Sequence, residues 1–196
     1  MKFTKRAMIL FISILTLAVT SITACGFLGF GSTEKWKEEV RLSDGRVIVV
    51  YREIINEMGG GEWASNPSGL KPKADYIRFN NPDLAGKSIE WRTLKTIDTW
   101  PEIPLILDME AGQPVMYTIV GVRTACEAYN KYVYRNGVWI EEKLPETFEP
   151  RTRNLFVRGS DDIPKLVSLE MKRKIDENGQ SRRPVRQVGP KREICG

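Results

Sequence analysis

Two dipeptides, Asp44-Gly45 and Asn136-Gly137, constrain the fold of this chain more than any other feature. Each lies between short runs rich in β-branched and aromatic residues, and each supplies the positive backbone φ that a tight hairpin turn demands. Before the first, Trp36, Val40 and Leu42 share one parity; after it, Arg46 to Tyr51 is a β-branched run. Residues 36–55 therefore read as a hairpin closed by a type I′ turn. Around the second, Tyr129 to Tyr134 and Val138 to Glu142 make another. Further strands are expected at Asp75–Phe79, Lys87–Leu94, Pro104–Met109, Val115–Arg123 and Arg153–Arg158, with Ala111-Gly112-Gln113-Pro114 as a turn. Ser168–Ile175 fits either a short helix capped by Ser168 or a strand showing Val167, Leu169 and Met171 on one face, and the helix is preferred.

Strands of this kind bury one face and close a core by packing sheet on sheet. The expected fold is mainly β: a single antiparallel β-sandwich-like (Ig-like) domain with a short C-terminal helix, an open barrel being the alternative. Core candidates are Ile48, Val50, Ile89, Trp91, Leu105, Leu107, Tyr117, Ile119, Tyr132, Val133 and Trp139. The Gly- and Pro-containing stretch from Gly59 to Ala74 reads as an exposed loop, and Trp63 within it is the candidate ligand contact, since an aromatic there can stack on a sugar or insert into a partner. The plainer reading of Trp63 is a loop anchor buried against the sandwich.

The N-terminus carries an address. Lys2, Lys5 and Arg6 precede an apolar, small-residue stretch from Ala7 to Ala24, and no charge follows until Glu34. This is the layout of a secretory signal. The stretch is also long enough for an uncleaved membrane anchor, but Thr16, Thr20, Ser21 and Thr23 dilute it toward its end, which favours a signal. It closes on Ile22-Thr23-Ala24-Cys25, which resembles the lipobox of bacterial lipoproteins: an aliphatic residue, two small ones, then the cysteine that receives diacylglycerol. The division expected is signal peptide 1–24, lipidated tether 25–35 and β domain 36–196. Gly26 after the lipidated cysteine implies, by the same resemblance, an outer-membrane protein facing the periplasm.

Of three cysteines, lipidation takes Cys25, leaving Cys126 and Cys195 as a pair in an oxidising compartment. A Cys126–Cys195 disulfide is expected, stabilising by roughly 4 kcal/mol in the chain-entropy model; two buried thiols are the alternative. Three of the 30 basic residues lie in the signal, so the chain after it, with 25 acids, is close to neutral. Its basic excess collects after Lys172. In an exported protein that is read as a solvated face, with contact to anionic lipid or lipopolysaccharide as the alternative, and no nucleic-acid partner is expected.

The chain has no histidine. Ser-His-Asp and Cys-His catalysis and histidine-containing zinc sites are thereby excluded. Gly86-Lys87-Ser88 imitates the end of a phosphate-binding loop, but Asn81 stands where the first glycine is needed and a strand is expected next. Asp161-Asp162 reads as a turn rather than a calcium site, and no metal or other cofactor is expected. Glu110, Glu141, Glu142 and Glu146 could supply the paired carboxylates of a glycosidase, with solvated surface acids as the ordinary reading.

Trp36-Lys37-Glu38-Glu39-Val40 with Leu42-Ser43-Asp44-Gly45-Arg46, and the ending Gln187-Val188-Gly189-Pro190 with Cys195-Gly196, resemble a group of short, uncharacterised proteobacterial lipoproteins over most of the mature chain. That resemblance implies an address and no activity. The function expected is a non-enzymatic binding or structural module of the envelope, anchored by lipid and meeting an envelope protein, glycan or lipid. The alternative is a carboxylate-based hydrolase of cell-wall or surface glycans.

Overall fold

Apolar and polar residues alternate through the first half of the chain, and the backbone answers with long antiparallel strands. A computed structural model of the protein describes residues 31–58, 69–84, 86–97, 100–121, 127–144, 151–157, 163–177 and 187–188. The strands are β1 (Thr33–Arg41), β2 (Val47–Met58), β3 (Leu70–Asn80), β4 (Ser88–Arg92), β5 (Thr96–Ile97), β6 (Trp100–Pro101), β7 (Ile103–Glu110), β8 (Gln113–Gly121), β9 (Glu127–Arg135), β10 (Val138–Glu142), β11 (Arg151–Thr152), β12 (Leu166–Val167) and β13 (Gln187–Val188), with one helix, α1 (Leu169–Glu177). One sheet runs β12-β1-β2-β3-β4, with β12 parallel to β1, and the other runs β10-β9-β8-β7. The two pack as a β-sandwich. Apart from β12, which returns from late in the chain to lie beside β1, each is a sequential meander, a simpler path than the Greek key of immunoglobulin domains.

The shared core takes Val40, Leu42, Val50, Ile77, Phe79, Ile89 and Trp91 from the first sheet and Leu107, Met116 and Tyr132 from the second. The second sheet is buried on its other face as well, where Leu105, Val115, Tyr117, Ile119 and Val133 pack with Leu144 and Val157. Two buried faces explain why apolar residues of both parities fill β7 and β8. Of the core candidates, Ile48 and Trp139 are only partly buried. Trp139 instead closes one side of the sandwich, donating from Nε1 to the Glu90 carbonyl of β4 at 2.7 Å.

The turns differ in kind. Asn136 and Gly137 both take positive φ (51° and 88°) between paired Arg135 and Val138, as a type I′ turn requires. Ala111 and Gly112 (49° and 74°) do the same between Glu110 and Gln113, so Gln113 and Pro114 belong to β8 rather than to the turn. The Asp44-Gly45 expectation is corrected. Only Gly45 has positive φ (89°), Gly45 N–H bonds the Leu42 carbonyl, and Leu42 N–H bonds Arg46. This is the three-residue loop with an αL glycine, chosen because Asp44 Oδ1 accepts the Arg46 N–H and holds Asp44 out of the left-handed region.

Three further boundaries move. Leu70–Ala74, read as loop, lies in β3, where Pro72 is accommodated opposite Asn56 beside a bulge at Lys73 of β3 itself. Thr33–Lys35, read as tether, pair with Glu53–Ile55. The strand expected at Arg153–Arg158 is absent from the described part, 153–157. Asn154 and Leu155 both donate their N–H to the Leu105 carbonyl, while the Asn154 side chain takes the place of a further strand on the edge of β7. The helix preferred at Ser168–Ile175 forms as α1, with Ser168 Oγ accepting the Met171 N–H as its cap. In the tail, expected to be irregular, Gln187–Val188 pair with Arg151–Thr152.

Candidate functional site

The inward parity of the first sheet is broken by three charges on three adjacent strands. Glu38 sits between Trp36 and Val40 on β1, Arg52 follows Val50 on β2, and Asp75 precedes Ile77 on β3; all three are buried. Arg52 joins them: its Nη1 donates to Glu38 at 3.1 Å, and its Nε and Nη2 donate to both oxygens of Asp75 at 3.3 and 2.6 Å. Its guanidinium lies 5.0 Å from the centre of the Trp36 ring. The free oxygen of Glu38 accepts from Lys172 Nζ of α1 at 2.6 Å and from the Phe156 N–H. Burial opposes the charge on Arg52, but Asp75 and Glu38 outweigh it and hold its pKa above the ordinary value. Burial raises Asp75 above the usual carboxylate range against the pull of Arg52, and burial lowers Lys172.

Beside this network a cavity of about 160 Å³ opens, walled by Arg52, Asp75, Asn56 and Glu102 among apolar neighbours that include Ile54 and Phe156. Glu102 is buried, and five neutral donors satisfy it: the Leu94 and Lys95 N–H groups on one oxygen, Thr118, Tyr132 and Asn130 on the other. Burial and that carboxylate push the Tyr132 phenol well above its ordinary pKa.

A further buried acid, Asp108 on β7, accepts the Ser43 and Met109 N–H groups on one oxygen and pairs with Arg151 through the other. Glu110, two residues on, accepts from Tyr117 at 2.6 Å and from Arg151 and Lys131 at 2.9 Å. These donors hold Glu110 below the ordinary carboxylate pKa despite its burial. Above this cluster a groove of about 720 Å³ runs between the end of β1, residues 151–154 and α1. It is lined by Arg41, Arg151, Arg153, Lys172 and Arg173, with Glu170 as its one acid.

The residues singled out in the sequence fall unevenly. Ile22, Thr23, Ala24, Cys25, Trp63, Cys126 and Cys195 lie outside the described residues, as do Glu146 and Asp161-Asp162. Glu141 pairs with Lys95 at 2.6 Å, and Glu142 pairs with Arg135 at 2.7 Å. Gly86-Lys87-Ser88 leads into β4, not into a helix. Among the described residues no helix is long and apolar enough to cross a membrane. The buried network and the cationic groove were missed. Their signal was there to be read: a charge at the core-facing parity of three successive strands, and two arginines, 151 and 153, just before and at the start of an expected strand.

Compared with protein-family models, curated proteins and solved structures, the chain matches none.

Proposed function

We propose that the protein is a lipid-anchored envelope lipoprotein that works by binding rather than catalysis, held at the outer membrane through Cys25 and facing the periplasm. The observation that carries the binding reading is the groove between β1 and α1, whose lining holds five cationic side chains and one acid. Lys172 and Arg151 also pair with Glu38, Asp108 and Glu110 behind it, and Arg173 with Glu170, so Arg41 and Arg173 are the outward cations the test removes. Such a groove suits an anionic partner, a carboxylate- or phosphate-bearing polymer of the envelope. The described acids that could serve a hydrolase at the surface, Glu110, Glu141 and Glu142, are each taken up by lysine or arginine. Two experiments test the reading. Intact and peptide mass spectrometry of the membrane-extracted protein should give an acylated N-terminus at Cys25 and a linked Cys126–Cys195 peptide; an unmodified Met1 start with free thiols refutes the export part. Titration of the detergent-solubilised protein with polyphosphate should show binding that weakens with salt and falls several-fold in the double variant Arg41→Glu, Arg173→Glu. Equal affinity in both proteins refutes the groove.

A second reading, hydrolysis of cell-wall or surface glycans, is favoured by one observation: Asp75, raised by burial as a general acid would be, shares a cavity with Glu102. It stands second because Arg52 grips both oxygens of Asp75 and five donors hold Glu102. Release of soluble fragments from purified peptidoglycan, abolished by Asp75→Asn and Glu102→Gln in folded protein, would reverse the order.

A further inference from the structure

The chain enters the sandwich at a fixed place. Ser32 accepts the Asn56 N–H at 2.8 Å, and Asn56 Nδ2 donates to Ser32 Oγ and Glu34, both at 3.1 Å. At Gly31 a β-carbon would stand 1.9 Å from the Asn56 carbonyl oxygen, so only glycine lets the chain lie this close to β2. The described chain therefore begins beside Asn56 and Glu57, at the end of the first sheet where Met58 pairs with Leu70. From Cys25 to Gly31 there are only six peptide steps, about 20 Å when fully extended.

The other end of the sandwich is distant and differently built. β2 runs from Val47 to Met58, a rise of roughly 36 Å. Four turns gather at the Val47 end. The Asp44 turn is joined to the β3–β4 turn by Arg46 and Asp83 at 2.6 Å and to β7 by Ser43 and Asp108, while Gln113 and Arg135 join the other two. The groove opens on this side, at Arg41 and Ser43. At the Met58 end, Met58 is exposed beside the pairs Lys73–Glu57 and Lys35–Glu53, while Val47, Leu84 and Val138 are exposed toward the other end. It is therefore the place where the short tether enters, and not the polarity of the exposed side chains, that sets which end lies nearer the lipid.

Resting on the lipid anchor proposed above, we infer that the protein stands on its Met58–Leu70 end against the bilayer and presents the Arg41–Arg173 groove away from it. Thr33 to Arg41 rises roughly 26 Å, several times the screening length of about 8 Å at physiological salt. The headgroups of the anchoring membrane are out of reach, and the groove meets an anionic partner across the periplasmic space.

The test uses the full lipidated protein, its acylation at Cys25 first verified by intact mass, in vesicles of phosphatidylethanolamine and phosphatidylglycerol that carry a headgroup energy acceptor. A fluorophore is placed at Met58→Cys or at Leu84→Cys, both exposed positions at opposite ends, and unsubstituted protein run in parallel supplies the background from native cysteines. Donor emission at position 58 should be quenched several-fold more than at position 84. Equal quenching, or more at 84, shows a domain that lies flat or stands inverted and overturns the orientation while leaving the anchor intact. A mass without acyl chains and no quenching at either position overturns the anchor reading and this inference with it.

Discussion

The side-chain amide of Asn154 pairs with both backbone polar atoms of Leu107, its Oδ1 accepting the N–H at 3.0 Å and its Nδ2 donating to the carbonyl at 2.8 Å. The same Nδ2 donates to the Arg41 carbonyl at 2.9 Å, so one side chain joins the edge of β7 to the end of β1 across the sandwich. An unpaired edge carbonyl and N–H are costly when buried, and an edge left open invites another chain. Replacing Asn154 by alanine should destabilise the fold by about 1–3 kcal/mol in urea unfolding. Asn154→Asp, which keeps the acceptor but sets a carboxylate oxygen against the Leu107 and Arg41 carbonyls, should destabilise at least as much at neutral pH. A change within a few tenths of a kcal/mol for alanine would show that water takes over the amide's role.

Arg52 supplies the second prediction. Removing one member of a buried charge network leaves its partners uncompensated, at a cost of about 3–5 kcal/mol. Arg52→Met should therefore be among the most destabilising single substitutions in the chain. Adding Asp75→Asn to it should restore part of the loss, because the second change removes one of the stranded charges. A double-mutant cycle with no coupling between the two sites would contradict the contacts seen here.

Acid should act through Glu110. Tyr117, Lys131 and Arg151 all face this carboxylate, and its pKa in the fold lies below the ordinary 4.5. The unfolded chain therefore binds the proton more readily. The stability Glu110 contributes is full above pH 4.5 and is lost as pH falls through the lowered folded value. Thermal unfolding midpoints should drop as pH falls below about 4.5, and the drop should be smaller in Glu110→Gln. An identical drop in both proteins would assign the acid sensitivity to other groups.

Ala111 holds φ at 49° in the β7–β8 turn, a conformation in which its β-carbon crowds the following carbonyl. Ala111→Gly should stabilise the protein by about 1 kcal/mol, with Ala111→Asn gaining less. Ala111→Val should destabilise it and weaken the hairpin. Denaturation midpoints of the three variants decide the matter, and a glycine variant no more stable than the parent would mean that the greater freedom of its unfolded chain cancels the relief.

Hairpins were the most legible part of the sequence because their signals are local: Asn136-Gly137 alone specifies the pairing of Arg135 with Val138. Less legible was anything decided by a distant partner. Leu70–Ala74 looked like loop because glycine and proline surround it, yet the tail of β2 draws it into the sheet and a bulge absorbs Pro72. Arg153–Leu155 looked like strand, yet Asn154 uses its side chain where a strand would use its backbone. Glu38, Arg52 and Asp75 were passed over because each looks like a surface charge until the parity of its neighbours, Trp36, Val50 and Ile77, is followed inward. The anchor and the disulfide were read from residue type and order alone.

Glu38 meets Phe156, 118 residues further along the chain, and Lys172 later still. A ribosome delivers β1 first, and the meanders beside it can zip up hairpin by hairpin as they emerge. Glu38, however, must be taken out of water when the sandwich closes, and two of its three donors belong to the final third of the chain. Closing early would strand a carboxylate in the core. The expected order is that the strands pair first and the sheets lock once the C-terminal helix arrives. Any apparatus that must move this polypeptide while it is still pliable has almost the whole of synthesis in which to do so.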